Sequence, residues 1–227
     1  MAYLSGNVIG NLSGKLGNLS ARTVNGQTIM AARPSSFNAS QSPSVVEVRQ
    51  KFAVTGMFAK NILTLSTLDE IWRKVKVAGI SVFNTIFKAN FTYSSTERPT
   101  DQNIITPEGF ALPITTAAVA ANKITASLPA LNTVSVFGSD EVNLSANALV
   151  CYYDPSNETD EPFKIISLSK EVPSFDFAQT YSLEINYNVL QEAVAAKYQH
   201  SILYLIVASK SADGKVVQNS ATYTKLS

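Results

Sequence analysis

One cysteine (Cys151) and one histidine (His200) are all that 227 residues carry of the two side chains on which much nucleophilic and metal chemistry rests. A single cysteine excludes an internal disulfide framework and any zinc site built from several thiolates. A single histidine removes most hydrolase and metal-site templates. Charge is sparse too, at 15% of residues, and nearly balanced: 18 basic against 17 acidic side chains leave a net +1. That balance argues against a general nucleic-acid coat or polyanion binder. Gly-x-Ser-x-Gly, His-Glu-x-x-His and Cys-x-x-Cys are all missing. Long hydrophobic runs are missing as well. The uncharged stretch 109–122 is broken by Pro113 and falls short of the roughly 18–20 apolar residues a membrane span needs. The first 19 residues have neither a basic n-region nor a continuous apolar h-region. The expectation is therefore a chain made and kept in a cytoplasm, or released by lysis.

What is there is enough apolar material for a core, 45% of residues at a mean hydropathy of +0.07, in a 24.5 kDa chain sized for one large domain or two small ones. The near-zero net charge hides an asymmetry. Residues 1–100 hold 11 Lys/Arg and 4 Asp/Glu, whereas 101–227 hold 7 and 13. All five arginines (Arg22, Arg33, Arg49, Arg73, Arg98) are in the first group. Two readings are open: the halves merely have different surfaces, or one end docks on the opposite end of a neighbouring copy.

The fold expected is α+β. Residues 1–43 read as an extended Gly/Asn arm and a β-hairpin. Gly6-Asn7, Gly10-Asn11 and Gly17-Asn18 repeat along the arm, and Asn25-Gly26 sits between two strand-like runs, the pairing that a tight hairpin turn favours. Residues 44–91 read as an antiparallel helix pair of about 20 residues each. The signals are two capping boxes (Ser44–Glu47 and Thr67–Glu70) and an apolar face through Val48, Phe52, Ala59 and Ile62, with Trp72 in or beside the helical core. Prolines 99, 107 and 113 mark 92–121 as a linker. Residues 122–227 read as an immunoglobulin-like β-sandwich. Its expected strands are 123–128, 133–137, 141–145, 148–153, 163–169, 181–187, 201–208 and 216–226, with a helical excursion at 189–198 and a turn at Asp213-Gly214. The Cys–Trp–Cys hallmark is absent, so only the architecture is expected.

Each suggestive motif has an ordinary reading beside it. Gly10–Leu16 has three residues between its glycines and Leu after the Lys. A phosphate-binding loop needs four, and Ser or Thr. Asp154, Asn157, Glu158, Asp160 and Glu161 crowd one loop without EF-hand spacing, so a solvated acidic hairpin is expected and calcium binding there stays open. His200 opens an apolar strand and reads as a strand-edge residue, Cys151 as a small buried hydrophobe. Arg73, Lys74 and Lys76 read as a solvated helix face. The arm fits an ordinary structural account least well: Leu4, Val8, Ile9, Leu12, Leu16 and Leu19 are apolar, yet too small and Gly-diluted to make a core alone.

Gly10, Lys15 and Gly17 with Arg22, Asn25-Gly26 and Arg33-Pro34 resemble the opening of an uncharacterised family of small proteins from Bacteroidota and their phages. Val48–Phe52 is similar to that family's Arg-x-x-Phe helix start, followed by the helix with Phe83-Asn84. Ala148–Tyr153 with Asp154-Pro155, and Asp213-Gly214 with Ser220 and Tyr223, extend the likeness over most of the chain as scattered short motifs. Ser42-Pro43 departs from the expected Thr-Pro-x-Gln. The resemblance implies a recurring module and a host lineage, and no catalytic activity.

Together these point to a non-enzymatic structural subunit of a phage virion, a neck or tail ring protein assembling head-to-tail with itself and a portal or tail partner. Leu4, Val8, Ile9, Leu12, Leu16 and Leu19 would form its assembly arm, and Arg22, Arg33 and Arg49 its interface charge. No cofactor, metal, small-molecule substrate or membrane span is expected, and nucleic acid is disfavoured. Two other readings are a capsid decoration or host-surface adhesion module that binds a partner or glycan through sandwich loops, and a carboxylate-only enzyme such as a glycosidase. The latter needs two carboxylates converging across a cleft, which no spacing here predicts.

Overall fold

The computed structural model describes residues 2–4, 13–24, 26–33, 36 and 39–227, with side chains left aside at 2–4 and 16. The chain is α+β, with antiparallel sheets and four α-helices among the described residues. It divides into two compact units, Met1–Val46 and Glu47–Ser227.

The first unit is a four-stranded antiparallel sheet. Its strands are β1 (Ala2–Leu4), β2 (Gly14–Leu16), β3 (Leu19–Val24) and β4 (Gln27–Ala32), in the order β1-β4-β3-β2. Two tight hairpins make it. The β2–β3 register closes at Leu16↔Leu19 with Gly17 at φ +57°, and β3–β4 closes at Val24↔Gln27 with Gly26 at φ +78°. Both turns need the left-handed backbone that glycine reaches without a Cβ clash. Asn25 lies outside the described residues. Thr23 and Thr28, opposite each other across the strands, share a hydroxyl hydrogen bond of 3.2 Å.

Helix α1 (Pro43–Ile62), whose residues from Glu47 on belong to the second unit, begins earlier than the Ser44–Glu47 box predicts. Pro43 takes the first helical position, where its missing N–H costs nothing, and the Ser42 carbonyl accepts from Val45 and Val46 at 3.0 Å. The buried face of α1 is Val54, Thr55, Phe58, Ala59 and Ile62; Val48 and Phe52, expected on it, are 56% and 57% exposed. The second predicted helix is two: α2 (Ser66–Val75) and α3 (Val82–Asn90). Lys76 leaves the helix in an extended conformation at ψ 140°, Gly79 at φ +81° turns the chain, and Ser81 Oγ starts the next helix by accepting from Asn84 N at 3.1 Å. Thr67 does not cap α2; its hydroxyl meets Ser145 Oγ in the interior at 3.1 Å.

The centre of this unit is a sheet ordered β11-β10-β7-β8, with β12 also on β10. Its strands are β7 (Glu141–Pro155), β8 (Phe163–Val172), β10 (Tyr198–Ser211), β11 (Val216–Asn219) and β12 (Tyr223–Leu226). β7 and β10 pair from Tyr198↔Pro155 to Ser211↔Glu141. Both carry unbroken apolar runs, 148–152 and 202–208, because both of their faces are buried. Leu149, Cys151, Tyr204 and Ile206 face α1–α3, forming one core with Phe58, Leu68, Trp72 and Ile86. Ala148, Val150, Leu203, Leu205 and Val207 face a second core, closed by a three-stranded sheet β5-β6-β9. That sheet comprises β5 (Thr116–Val119), β6 (Lys123–Leu128) and β9 (Tyr181–Asn186), and the short helix α4 (Val189–Ala195) adds Ala195 to the same core. The layers are therefore helices, central sheet and smaller sheet.

Three strand expectations change. Residues 133–137 are not a strand: a 3-10 turn at Leu131–Thr133 puts Leu131 in the core, and Phe137 stacks on Phe177 at 4.1 Å. Residues 141–145 and 148–153 are one strand, the buried Asn147 between them being satisfied by Ser145 Oγ at 2.9 Å. The last predicted strand breaks at Ser220–Thr222, where Thr222 Oγ1 accepts from the backbone of Ile105 and Thr106. The stretch 92–121, read as a linker, is packed. It supplies β5, the fully buried Ile105 and Asn103, and a carbonyl at Ile105 that accepts from Trp72 Nε1 at 2.9 Å.

Candidate functional site

The described part of the expected assembly arm pairs within its own unit. Leu4 stands opposite Thr28 in register and Leu16 opposite Leu19, while Leu19 itself is half-buried. Val8, Ile9 and Leu12 lie outside the described residues, as does Gly10–Leu12 of the phosphate-loop look-alike; its Lys15 is on β2, not at a helix start. Alternation along β3 and β4 separates two faces. Leu19, Ala21 and Thr23 stand opposite Ala32, Met30 and Thr28, an uncharged set, and Ser20, Arg22 and Val24 stand opposite Ala31, Ile29 and Gln27. Among the described side chains of this unit only Thr28 is buried. Residues 1–46 contain Lys15, Arg22 and Arg33 but no Asp or Glu. Arg22 and Arg33 are exposed in this unit; Arg49, also exposed, is on α1 in the other.

The small basic cluster on α2 is part of the framework. Arg73 pairs with Asp69 at 2.8 Å and Lys74 with Glu70 at 3.7 Å. Lys74 Nζ also donates to the Val216 carbonyl while Glu70 Oε1 accepts from Val216 N at 3.0 Å, tying α2 to β11.

The acidic residues gather at one end of the central sheet. Asp154, Pro155, Glu158, Asp160 and Pro162 line an open cleft of about 720 Å³ together with Tyr153, Glu97 and Arg98. The Arg98 guanidinium lies 3.9 Å over the Tyr153 ring. Asp154 takes a left-handed φ of +61°, and its Oδ2 is 3.5 Å from His200 Nε2. Lys197 donates to Asp160 at 2.8 Å, which holds the Asp160 carboxyl below the usual aspartate range and raises Lys197. Glu161 pairs with Lys164 at 3.0 Å. Among the described residues no three His, Cys, Asp or Glu side chains converge on a metal-sized site. Glu97 and Arg98 escaped the sequence reading because they come from a distant segment; the only hint was that Arg98 precedes a proline in an otherwise polar stretch.

Cys151 is fully buried, and burial pushes its thiol up to about 12, so it stays a protonated hydrophobe. Burial likewise raises Tyr204, whose hydroxyl donates to the Thr100 carbonyl at 2.5 Å. Burial also raises Tyr152 and Tyr187, which share a hydrogen bond of 2.8 Å. These phenols hold layers together. The cleft sets carboxylates, a guanidinium and an aromatic face side by side.

No protein-family model matches the chain, and no curated protein is similar to it. Solved structures that match include two of a beta-glucosidase from Kluyveromyces marxianus, one selenomethionine-labelled and one in complex with glucose. They are 12% and 14% identical over 63% of this chain, and this chain spans 17% of theirs. At a TM-score of 0.22 for both, the likeness carries no argument.

Proposed function

We propose that the chain is a non-enzymatic structural subunit of a phage virion, a neck or tail ring protein that associates head-to-tail with copies of itself and with a portal or tail partner. One observation carries the reading. The described strands of the first unit form a four-stranded sheet with one uncharged face, and residues 1–46 carry only basic charges and, among the described side chains, a single buried one. A four-stranded sheet with so little buried within its own unit gains little by folding by itself, and the outer strands of a sheet are where further strands pair. Attachment to another surface explains why such a sheet exists. The resemblance to small Bacteroidota and phage proteins supports the virion part of the proposal.

The second unit is read as an immunoglobulin-like sandwich with an added helical layer. Its strand order supports this. Lettering β5, β6, β7, β9, β10 and β11/β12 as A, B, C, E, F and G gives A-B-E in one sheet and C-F-G in the other, with β8 beside C. Such sandwiches serve as docking modules on many proteins, an argument by analogy of fold.

The test is the native mass of the full chain beside one lacking residues 1–20 and beside the triple variant Arg22→Glu, Arg33→Glu, Arg49→Glu. A ring that falls to folded monomers in both variants is expected. A monomeric full chain overturns the self-assembly reading, and an unchanged triple variant removes the charge part of it. A second reading, adhesion or capsid decoration, is favoured by the cleft beside Tyr153. It predicts capture of a virion or host-surface component by the monomer, lost on Tyr153→Ala.

A further inference from the structure

A chain with a net charge of +1 contains a unit without a single acid. All 17 Asp and Glu lie beyond residue 46, and the charged side chains of 1–46 are Lys15, Arg22 and Arg33. Register puts the three on one face of the sheet. Lys15 stands opposite Ser20 and Ser20 opposite Ala31, while Arg22 stands opposite Ile29. Opposed residues share a face, as do residues two apart on a strand, so Lys15 and Arg22 lie on the side of Ser20. Arg33 is two beyond Ala31. Its N–H carries the ladder past β4 by donating to the Asn18 carbonyl at 2.6 Å, which keeps it on that side.

This is the more open face of the two. Lys15, Arg22, Gln27 and Arg33 on it are exposed, with Ser20 and Ile29 half-buried. The opposite face holds the buried Thr28, with Leu19, Ala21, Thr23 and Met30 half-buried. Among the described residues none of the three cations has an ion-pair or hydrogen-bond partner for its side chain, and the unit contains no acid to supply one. With strands about 4.8 Å apart and residues rising about 3.4 Å along them, the three Cα atoms are about 8 to 14 Å from one another.

The composition of the face selects its partner. A protein partner asks for large apolar or aromatic anchors at the centre of the contact, and a bilayer asks for them beside its cations. A single-stranded nucleic acid asks for aromatic rings on which bases stack. The described apolar side chains of this face are only Val24, Ile29 and Ala31. A duplex asks for none of these: its phosphates are met by Arg, Lys and amide side chains. It also presents one charge per about 1.7 Å of its axis, so cations at these separations each find a phosphate. We infer that the open face of this sheet binds the phosphate backbone of a nucleic-acid duplex through Lys15, Arg22 and Arg33, without regard to base sequence. Such binding needs no second copy and goes beyond self-assembly. Arg22 and Arg33 then serve phosphate rather than an acidic neighbour, which leaves Arg49 and the arm to any self-contact.

The experiment is fluorescence anisotropy of a labelled DNA duplex of mixed sequence with the full chain, in salt from about 50 to 200 mM. Vesicles containing phosphatidylserine are tested alongside, and native mass is measured in the same buffers. Three phosphate contacts give a log–log salt slope of about −2.7, an affinity loss of about 40-fold across that range. Each of Lys15→Gln, Arg22→Gln and Arg33→Gln should flatten the slope by about 0.9. Arg22→Lys should keep it, because a backbone contact reads charge, and this variant separates lost charge from a lost fold. Lys88→Gln, which removes an exposed cation of the second unit, should leave the slope unchanged. Absence of duplex binding at the lowest salt overturns the inference. So does a full slope in the triple Gln variant, or capture by vesicles without capture by the duplex. A chain that forms a ring yet ignores the duplex removes this inference and leaves the assembly reading, whereas a monomer that binds the duplex supports this inference and removes self-assembly.

Discussion

Replacing Asn90 with Ala should cost the second unit about 3 kcal/mol, although it deletes no apolar contact of note. Asn90 is fully buried at the end of α3. Its Nδ2 donates to the carbonyls of Ile86 and Ile104 at 3.1 and 3.0 Å, and its Oδ1 accepts from Ile104 N at 2.8 Å and Asn103 Nδ2 at 3.0 Å. Ile86 keeps a helical partner after the change, and Asn103 keeps Ser94 Oγ at 3.1 Å and the Asn90 carbonyl at 3.2 Å. The N–H and C=O of Ile104 keep nothing. A fully buried orphaned group costs about 1–3 kcal/mol, and Ile104 is half-buried, so solvent recovers part of that for its two groups. Trp72 reports the outcome, being the single tryptophan and buried against Ile105. With a urea slope of about 2 kcal/mol/M the fluorescence midpoint should fall by roughly 1.5 M.

Asn90→Asp sharpens the test through pH. The introduced carboxyl keeps the acceptor for Ile104 N but turns its other oxygen toward two carbonyls, so it folds best when protonated and its pKa rises in the native state. Below the unfolded value of about 3.9 it is protonated in both states and costs least. As pH climbs from there toward the raised folded value the variant loses stability relative to wild type. A midpoint shift under about 0.3 M for Asn90→Ala would refute the reasoning. So would a gap between Asn90→Asp and wild type that stays constant from about pH 4 to 8.

Gly109→Ala should destabilise by about 2–4 kcal/mol. At φ +154° its added Cβ would press into backbone, the carbonyl of Asn219 and the Ser220 carbon inside contact distance and Ala221 N at 2.7 Å, and no rotamer relieves backbone. Loss of amide protection at Phe110 and Ala221 in hydrogen exchange checks it. Asp160 should titrate below the ordinary aspartate range in a carboxyl NMR titration and return to it in Lys197→Met, because the Lys197 hydrogen bond is the main cause of its shift. What that pair contributes is present above the unfolded aspartate pKa and is lost as pH falls through the lowered one.

The features read well from sequence are those that local chemistry decides. Asn25-Gly26 marks a hairpin because few dipeptides tolerate its turn, and the structure places the strands at Leu19–Val24 and Gln27–Ala32. β6 falls at Lys123–Leu128 as expected, since one face of it packs on the second core and alternation is visible. The second helix misled for a physical reason. Leu68, Ile71, Val82 and Ile86 are all buried and keep a helical spacing, yet Gly79 and Ser81 interrupt between them, and periodicity is blind to a break that preserves phase.

The packing of 92–121 was out of reach for the opposite reason. Its prolines speak locally, but what orders it is partners far away in the chain: Asn90 and Asn103 with each other, Trp72 on Ile105, Thr222 on Ile105 and Thr106. A polar residue with a long-range partner has no sequence signature, whereas an apolar one has its neighbours' period. The same asymmetry governs the start of α1. Phe52 and Val48 carry the helical spacing of one apolar face with Ala59 and Ile62, yet only the latter two enter the core. An exposed apolar residue can obey the hydrophobic pattern of a core it does not enter. Sequence therefore reveals that a face is apolar, and only the fold reveals that Phe52, although it packs on Phe87, stays more than half exposed.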